Sequence, residues 1–248
     1  MFQGKNVVIT GAGRGIGRTL ALGFAAQGAT VLVHYGHAKQ QAEDVVRLIG
    51  EAGGHAVLAQ ADIRITEGVT RLVEDATTQL GAIDVWINNA GATANTEETK
   101  DKSELELFQE MMAVDVLGTW RCCHAARRSM RSGGCILTIG WDHALTGAPG
   151  FSNQLYATSK GAVISMTRSL ARTFAPHIRV NCIAPGWISN DWSQSRPISF
   201  QQRVEQGIPM KRWGTADDIL AAALFLASPA NAFMTGQILL VNGGDVMR

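Results

Sequence analysis

The chain has 248 residues, a formal net charge of +1 and 46% hydrophobic residues. A compact chain of this length buries about 70–75% of its unfolded surface, so its core requires neither disulfides nor a structural metal. The near-neutral balance argues against the basic field expected of a protein that binds nucleic acid or an anionic membrane.

Arg127, Arg128 and Arg131 are the densest basic group. No aromatic residues interleave with them, so they read as a solvated helix face. Cys122, Cys123, Cys135 and Cys182 lack C-x-x-C spacing and read as packing residues of a reduced compartment. The opening residues match no signal-peptide pattern, and the longest apolar run, Ile219–Ala227, is well short of the ~20 residues of a membrane span. The expectation is a soluble, cytoplasmic protein with no metal.

In chain order, seven short β-branched runs read as strands: Asn6–Thr10, Thr30–Tyr35, His55–Asp62, Asp84–Asn89, Cys135–Gly140, Arg179–Pro185 and Gln237–Asn242. Their near-continuous apolar character indicates strands buried on both faces. Between them, Ala42, Val45, Val46 and Ile49 fall on one helical face, as do Val69, Leu72, Val73 and Ala76. A helix also opens at Thr215, with Asp218 completing an acidic capping box. Strand–helix alternation predicts an α/β fold with a doubly wound parallel sheet flanked by helices. No linker or repeat divides the chain, so residues 1–248 read as a single domain.

Gly11, Gly15 and Gly17, with Arg14 and Ile16 among them, occupy the turn between the first strand and its helix. Glycines there let the backbone approach a pyrophosphate, and the helix N-terminus offers N–H donors to it. Further along, Tyr156 and Lys160 stand i and i+4 on one helical face. A free tyrosine has a pKa near ~10, and an adjacent ammonium favours the phenolate. Tyr156 could then pass a proton to or from a substrate oxygen.

The ordered motifs T-G-x-x-x-G-I-G (Thr10–Gly17), N-N-A-G (Asn88–Gly91), Y-A-T-S-K (Tyr156–Lys160) and P-G-W-I (Pro185–Ile188) span nearly the whole chain. In them the sequence resembles the short-chain dehydrogenase/reductase family, in its 3-oxoacyl-acyl-carrier-protein-reductase-like form. The resemblance implies a seven-stranded Rossmann-like fold, a nicotinamide cofactor, a small carbonyl or alcohol substrate and a homo-oligomer, commonly a tetramer. It also implies that Asp62 accompanies the adenine and that Asn89 and Gly91 line the ribose channel. Ile188, after Pro185 and Gly186, would reach the carboxamide through its backbone. Asn190 stands where many members have Thr. The position that holds the ribose 2′-hydroxyl in NAD-preferring members corresponds to Tyr35, flanked by His34 and Gly36. With no carboxylate there, and with Arg14, His37 and Lys39 nearby in sequence, NADP(H) is expected rather than NAD(H).

Two positions depart from the family. Matching by the flank "ILTIG" puts Trp141 where members carry the substrate-binding Ser, with a loop about two residues longer, whereas counting back from Tyr156 puts His143 there. Asp115 replaces the Asn that holds a water relay from the Lys, largely through its backbone carbonyl. Three readings stay open. The first is an NADP(H)-dependent carbonyl reductase or alcohol dehydrogenase, with Trp141 or His143 steadying the substrate oxygen. The second is an NADP-binding protein without redox turnover. The third is a dehydratase or isomerase using Asp142 and His143. The segment Trp187–Trp213, with Trp192, Ile198, Phe200, Ile208 and Trp213, is expected to cover the substrate.

Overall fold

In the computed structural model, residues 1–94 and 99–247 are described. Seven strands form one parallel sheet: β1 (Asn6–Ile9), β2 (Thr30–Tyr35), β3 (His55–Gln60), β4 (Ile83–Asn88), β5 (Met130–Ile139), β6 (Ile178–Pro185) and β7 (Ile238–Val241). Their spatial order is β3-β2-β1-β4-β5-β6-β7. The chain winds outward in one direction from β1, then crosses back to start again at β4. That reversal opens a crevice at the carboxyl ends of β1 and β4, the position where open α/β sheets bind ligands.

Both faces of the sheet are covered, as the apolar strands predict. In β1, Val7 and Ile9 join one core while Val8 joins the other, and in β4, Val85 and Ile87 are separated from Trp86 in the same way. A strand period of two sends successive side chains to opposite faces, so an unbroken apolar run feeds two cores at once. The first core is closed by α1 (Gly15–Ala26), α2 (Lys39–Glu51) and α9 (Ala216–Ala227), through residues such as Phe24, Val45 and Ala223. The second is closed by α3 (Thr66–Leu80), α5 (Thr119–Ala126) and α6 (Phe151–Phe174), through Leu72, Cys122 and Phe174. All four cysteines are free and buried. No described helix is long and apolar enough to cross a membrane.

The capping box at Thr215 and Asp218 forms as expected. A second one, between Ser103 and Glu106, opens α4 (Glu104–Met111). The basic group is not a single helix face. Arg127 stacks 4.7 Å over the Phe174 ring, whereas Arg131 lies in the exposed start of β5, 3.8 Å from Asp84. Strand β5 begins earlier than its apolar run because Met130 pairs with Ile83 ahead of a register shift, after which pairing resumes at Cys135.

Candidate active site

The glycine turn is assembled by its neighbours across the crevice. Thr10 Oγ1 accepts the N–H groups of Asn89 and Ala90, each at 3.0 Å. The Asn89 side chain donates back to the carbonyls of Thr10 and Gly11, also at 3.0 Å. A Cβ on Gly17 would fall 2.2 Å from the Gly11 carbonyl, and one on Gly11 would fall 2.9 Å from the Ala90 Cα, so both positions exclude larger residues. Gly15 differs: its φ is +53° and a Cβ there would meet nothing. It faces the open cleft at the first turn of α1.

That cleft has a volume of about 820 Å³ and runs from the glycine turn past the ends of β2 and β3 to Asn190. Gly11, Arg14, Gly15, Ile16, Gly17, His34, Tyr35, Asp62, Asn89, Gly91 and Ile188 all line it. Pro185 and Gly186 lie behind it, where the Gly186 N–H donates to Val241 and ties β6 to β7. Arg14 is exposed at the mouth of the cleft.

Three of these residues do something the sequence does not predict. His34 is turned inward: its Nδ1 accepts the Gly11 N–H at 3.2 Å, and its Nε2 lies 3.0 Å from the Ala61 carbonyl. These partners fix the neutral ring with its proton on Nε2. Burial lowers its pKa to about 4, so His34 splices the glycine turn to the sheet and brings no charge to the cleft. Tyr35 is likewise buried and packs into the first core. Asp62 is gripped by Arg64, whose Nε and Nη2 donate to both carboxylate oxygens, and this bonding holds the acid below its ordinary range.

On the other side of the crevice, α4 runs into a π-helical turn, Met112–Gly118, before α5. Such turns often mark functional sites because the extra residue re-aims a side chain. Here it delivers Asp115 to the interior. Asp115 Oδ1 accepts the Ala92 N–H at 2.8 Å, and Oδ2 accepts the Ser159 hydroxyl at 3.1 Å. Lys160 Nζ lies 3.1 Å from the same Oδ2, and neither side chain is more than 4% exposed. The resemblance implies a backbone role at this position; the Asp115 side chain, besides, forms a direct ion pair. A Cβ on Gly91 would sit 3.3 Å from Asp115 Oδ1 and 3.4 Å from Lys160 Nζ. Glycine at that position therefore lets the backbone pack directly against the pair.

Tyr156 stands one turn before Lys160 on α6, with the ammonium 5.4 Å from its ring centroid. The expected lowering of its pKa is reversed. Burial of the ring pushes the hydroxyl up, Lys160 pulls it down, and Asp115 pushes it up again, leaving it above the ordinary tyrosine value. Burial also disfavours the Lys160 charge, but Asp115 and then Tyr156 more than offset this and hold the ammonium above the ordinary lysine range.

The loop after β5 supplies the third wall. Trp141 is buried, and its ring meets Tyr156 edge to face at 5.2 Å. His143 lies beyond it, 5.1 Å from the Trp141 ring. Asp142 is fully buried: Oδ1 accepts from the His143 backbone N–H and lies 2.8 Å from His143 Nδ1. Its Oδ2 accepts from Asn242 Nδ2 at 3.0 Å. His143 Nε2 points toward Asp245 Oδ2 at 3.5 Å. Both Asp142 oxygens thus have partners within the fold. Asn242 and Asp245 are site residues that sequence reasoning missed; the only signal was the closing V-N-G-G-D run.

A family model described as enoyl-(acyl carrier protein) reductase matches residues 11–245. The chain is 35% identical to 3beta-hydroxysteroid dehydrogenase 1 of Eggerthella lenta, over 98% of this chain and 94% of that protein. It is 33% identical to the 3-oxoacyl-[acyl-carrier-protein] reductase FabG of Staphylococcus aureus, over the full length of both.

The chain belongs to the short-chain dehydrogenase/reductase family.

Solved structures agree. A short-chain dehydrogenase/reductase from Serratia marcescens superposes with a TM-score of 0.90 at 29% identity, covering 99% of each chain. A blue fluorescent protein from a metagenomic library, in complex with NADPH, gives 0.89 at 32% identity over 99% of each chain. The seven-stranded Rossmann-like fold of this short-chain dehydrogenase/reductase is therefore that of a family of oxidoreductases.

The segment after β6 in this family member folds over α6. It contains α7 (Asp191–Gln194) and α8 (Ile198–Gly207), with Asn190 capping α7 through Ser193. Trp187 sits at its centre, 6.0 Å from His143, 6.1 Å from Phe200 and 5.7 Å from Trp213. Ile208 belongs to the interior rather than to a cover, at 2% exposure, and Ile198 faces solvent at 72%.

Proposed function

We propose that this chain is an NADP(H)-dependent carbonyl reductase, able to run in reverse as an alcohol dehydrogenase. The observation that carries this reading is the placement of Tyr156 and Lys160 together on α6, across the crevice from a glycine turn whose Gly15 faces an open cleft. The turn fits a dinucleotide: its N–H donors stand at the start of α1, and no carboxylate ends β2. When bound, the cofactor supplies or accepts the hydride.

Tyr156 gives its hydroxyl proton to the substrate oxygen during reduction and takes one back during oxidation. Lys160 holds positive charge beside it, favouring the phenolate that remains. Asp115 fixes the ammonium in place and moderates its pull. With both His143 nitrogens directed at carboxylates, Trp141 is the residue left to steady the substrate oxygen through its indole N–H. Arg14, exposed at the cleft mouth, reads the 2′-phosphate of NADP(H). The segment 187–213 acts as the substrate cover.

The buried thiols suit a reducing, cytoplasmic setting. Leu105, Phe108, Leu117 and Trp120 expose apolar surface along α4, the π-helical turn and α5, and Phe225 and Phe233 do so elsewhere. Patches of this kind suit a homo-oligomer, a tetramer or dimer.

One observation favours a second reading. The sealed Asp115–Lys160 pair and the indole in place of a hydroxyl would also suit an NADP-binding protein that does not turn over. The test follows NADPH oxidation against ketones, quinones and acyl-ketones, for the native chain and for Tyr156→Phe. Saturable turnover that falls about 10²–10⁴-fold in the variant supports the reductase. Tight NADPH binding with no turnover on any member favours the second reading.

A further inference from the structure

A cavity of about 450 Å³ lies between the first turn of α6 and the segment Trp187–Phe200. That is the size range of sites for small organic ligands. Four of the nine residues that line it are aromatic, Phe151, Trp187, Trp192 and Phe200. Two residues lining it carry N–H donors that are buried and reach no acceptor, Trp192 Nε1 and Arg196 Nε. Buried donors without acceptors are rare in native proteins because the lost hydration is not replaced. Among the described residues, Arg196 pairs with no carboxylate. Its guanidinium instead stacks 4.8 Å over the Trp192 ring.

A chain of ring contacts links the wall of this cavity to the proton-transfer residues. Tyr156 meets Trp141 at 5.2 Å, Trp141 meets His143 at 5.1 Å, and His143 meets Trp187 at 6.0 Å. Trp187 then meets Phe200 at 6.1 Å, and Phe200 meets Trp192 at 6.0 Å. Phe151, on the cavity wall, precedes Tyr156 by five residues of α6, about 7.5 Å along the helix axis. A rigid molecule with two fused rings spans a distance of that order.

We propose that the cavity receives the far end of the substrate, and that the substrate is a flat aromatic or polycyclic carbonyl compound bearing a carboxylate. The carboxylate accepts from Arg196 and Trp192 while the rings lie along the aromatic walls. A planar acceptor of single charge matches a guanidinium edge and an indole N–H. The proposal rests on the reductase reading, since the reacting carbonyl is placed at Tyr156.

The test compares 6-acetyl-2-naphthoate with 2-acetylnaphthalene, the same ketone without the acid. Their dissociation constants are measured by calorimetry, with and without NADP⁺, so that no turnover is required. The acid is expected to bind about tenfold tighter or more, the scale of a charge-assisted hydrogen bond. That preference is expected to vanish in Arg196→Met, to survive in part in Arg196→Lys, and to shrink in Trp192→Phe, which keeps a ring and removes only the donor. Equal affinities in the native chain overturn the proposal, as does binding of neither compound. A preference that persists in a folded Arg196→Met overturns it as well; if that variant does not fold, an undiminished preference in both Trp192→Phe and Arg196→Lys does so. NADPH oxidation with the same pair is read separately. A binding preference without turnover would count against the reductase reading alone and leave the carboxylate site standing.

Discussion

Asp115 Oδ2 lies 3.1 Å from Lys160 Nζ, with both groups sealed inside the protein. Asp115→Asn keeps an acceptor for the Ala92 N–H but removes the charge that faces the ammonium. Breaking one side of a buried pair costs about 3–5 kcal/mol, so the variant is expected to melt well below the native chain. Because Asp115 pushes the Tyr156 hydroxyl upward, its loss lets that pKa fall. The rising limb of alcohol oxidation in a kcat/KM–pH profile should then move to lower pH. A profile that does not move would separate Asp115 from the proton transfer.

Trp141→Phe preserves an aromatic edge against Tyr156 and deletes the indole N–H. Removing one donor to a developing oxyanion costs about 10²–10³-fold in rate. The expected result is a kcat loss of about 100-fold with little change in KM. A kcat within a few-fold of native would return His143 to consideration as the donor.

Arg14→Ala tests the cofactor preference, because Arg14 is exposed at the cleft mouth while the end of β2 carries no acid. Loss of a guanidinium–phosphate contact is expected to raise the KM for NADPH about tenfold or more, leaving that for NADH nearly unchanged. Parallel increases for both cofactors would show that Arg14 does not read the 2′-phosphate.

His34 gives a pH dependence of stability. Its pKa is about 4 in the folded chain, against an ordinary value of 6.5. The unfolded chain therefore binds the extra proton first. The stabilisation is complete above pH 6.5 and is lost as pH falls toward 4, at most about 1.4 kcal/mol per pH unit. Urea unfolding between pH 4.5 and 7 should show this slope, and His34→Gln should flatten it. An identical slope in the variant would assign the effect to another group.

The fold was legible because its strands are doubly buried: Val85 and Ile87 pack into one core and Trp86 between them into the other, so the apolar runs had no polar alternation to obscure them. The glycine turn and the Tyr156–Lys160 spacing were legible because both are local, each confined to a single turn of one element. The orientation of His34 was not. It depends on Gly11 and Ala61, which lie just beyond the ends of the two strands on either side of its own. The Asp115–Lys160 contact was hidden for a similar reason. A charge near the lysine was visible in the sequence, but the π-helical turn that drives the carboxylate into contact leaves no periodicity to read. Asn242 and Asp245 are distant in sequence from every motif they support.

The Asn242–Asp142 hydrogen bond joins residues 100 positions apart. At a synthesis rate of about 5–20 residues per second, Asn242 is added roughly 5–20 s after Asp142. Throughout that interval the glycine turn and β1 to β4 are already complete, while the buried acid beside Trp141 still lacks its Asn242 partner. The acid beside Trp141 thus receives its last partner only when the turn after β7 arrives, after every residue that lines the cleft has been made.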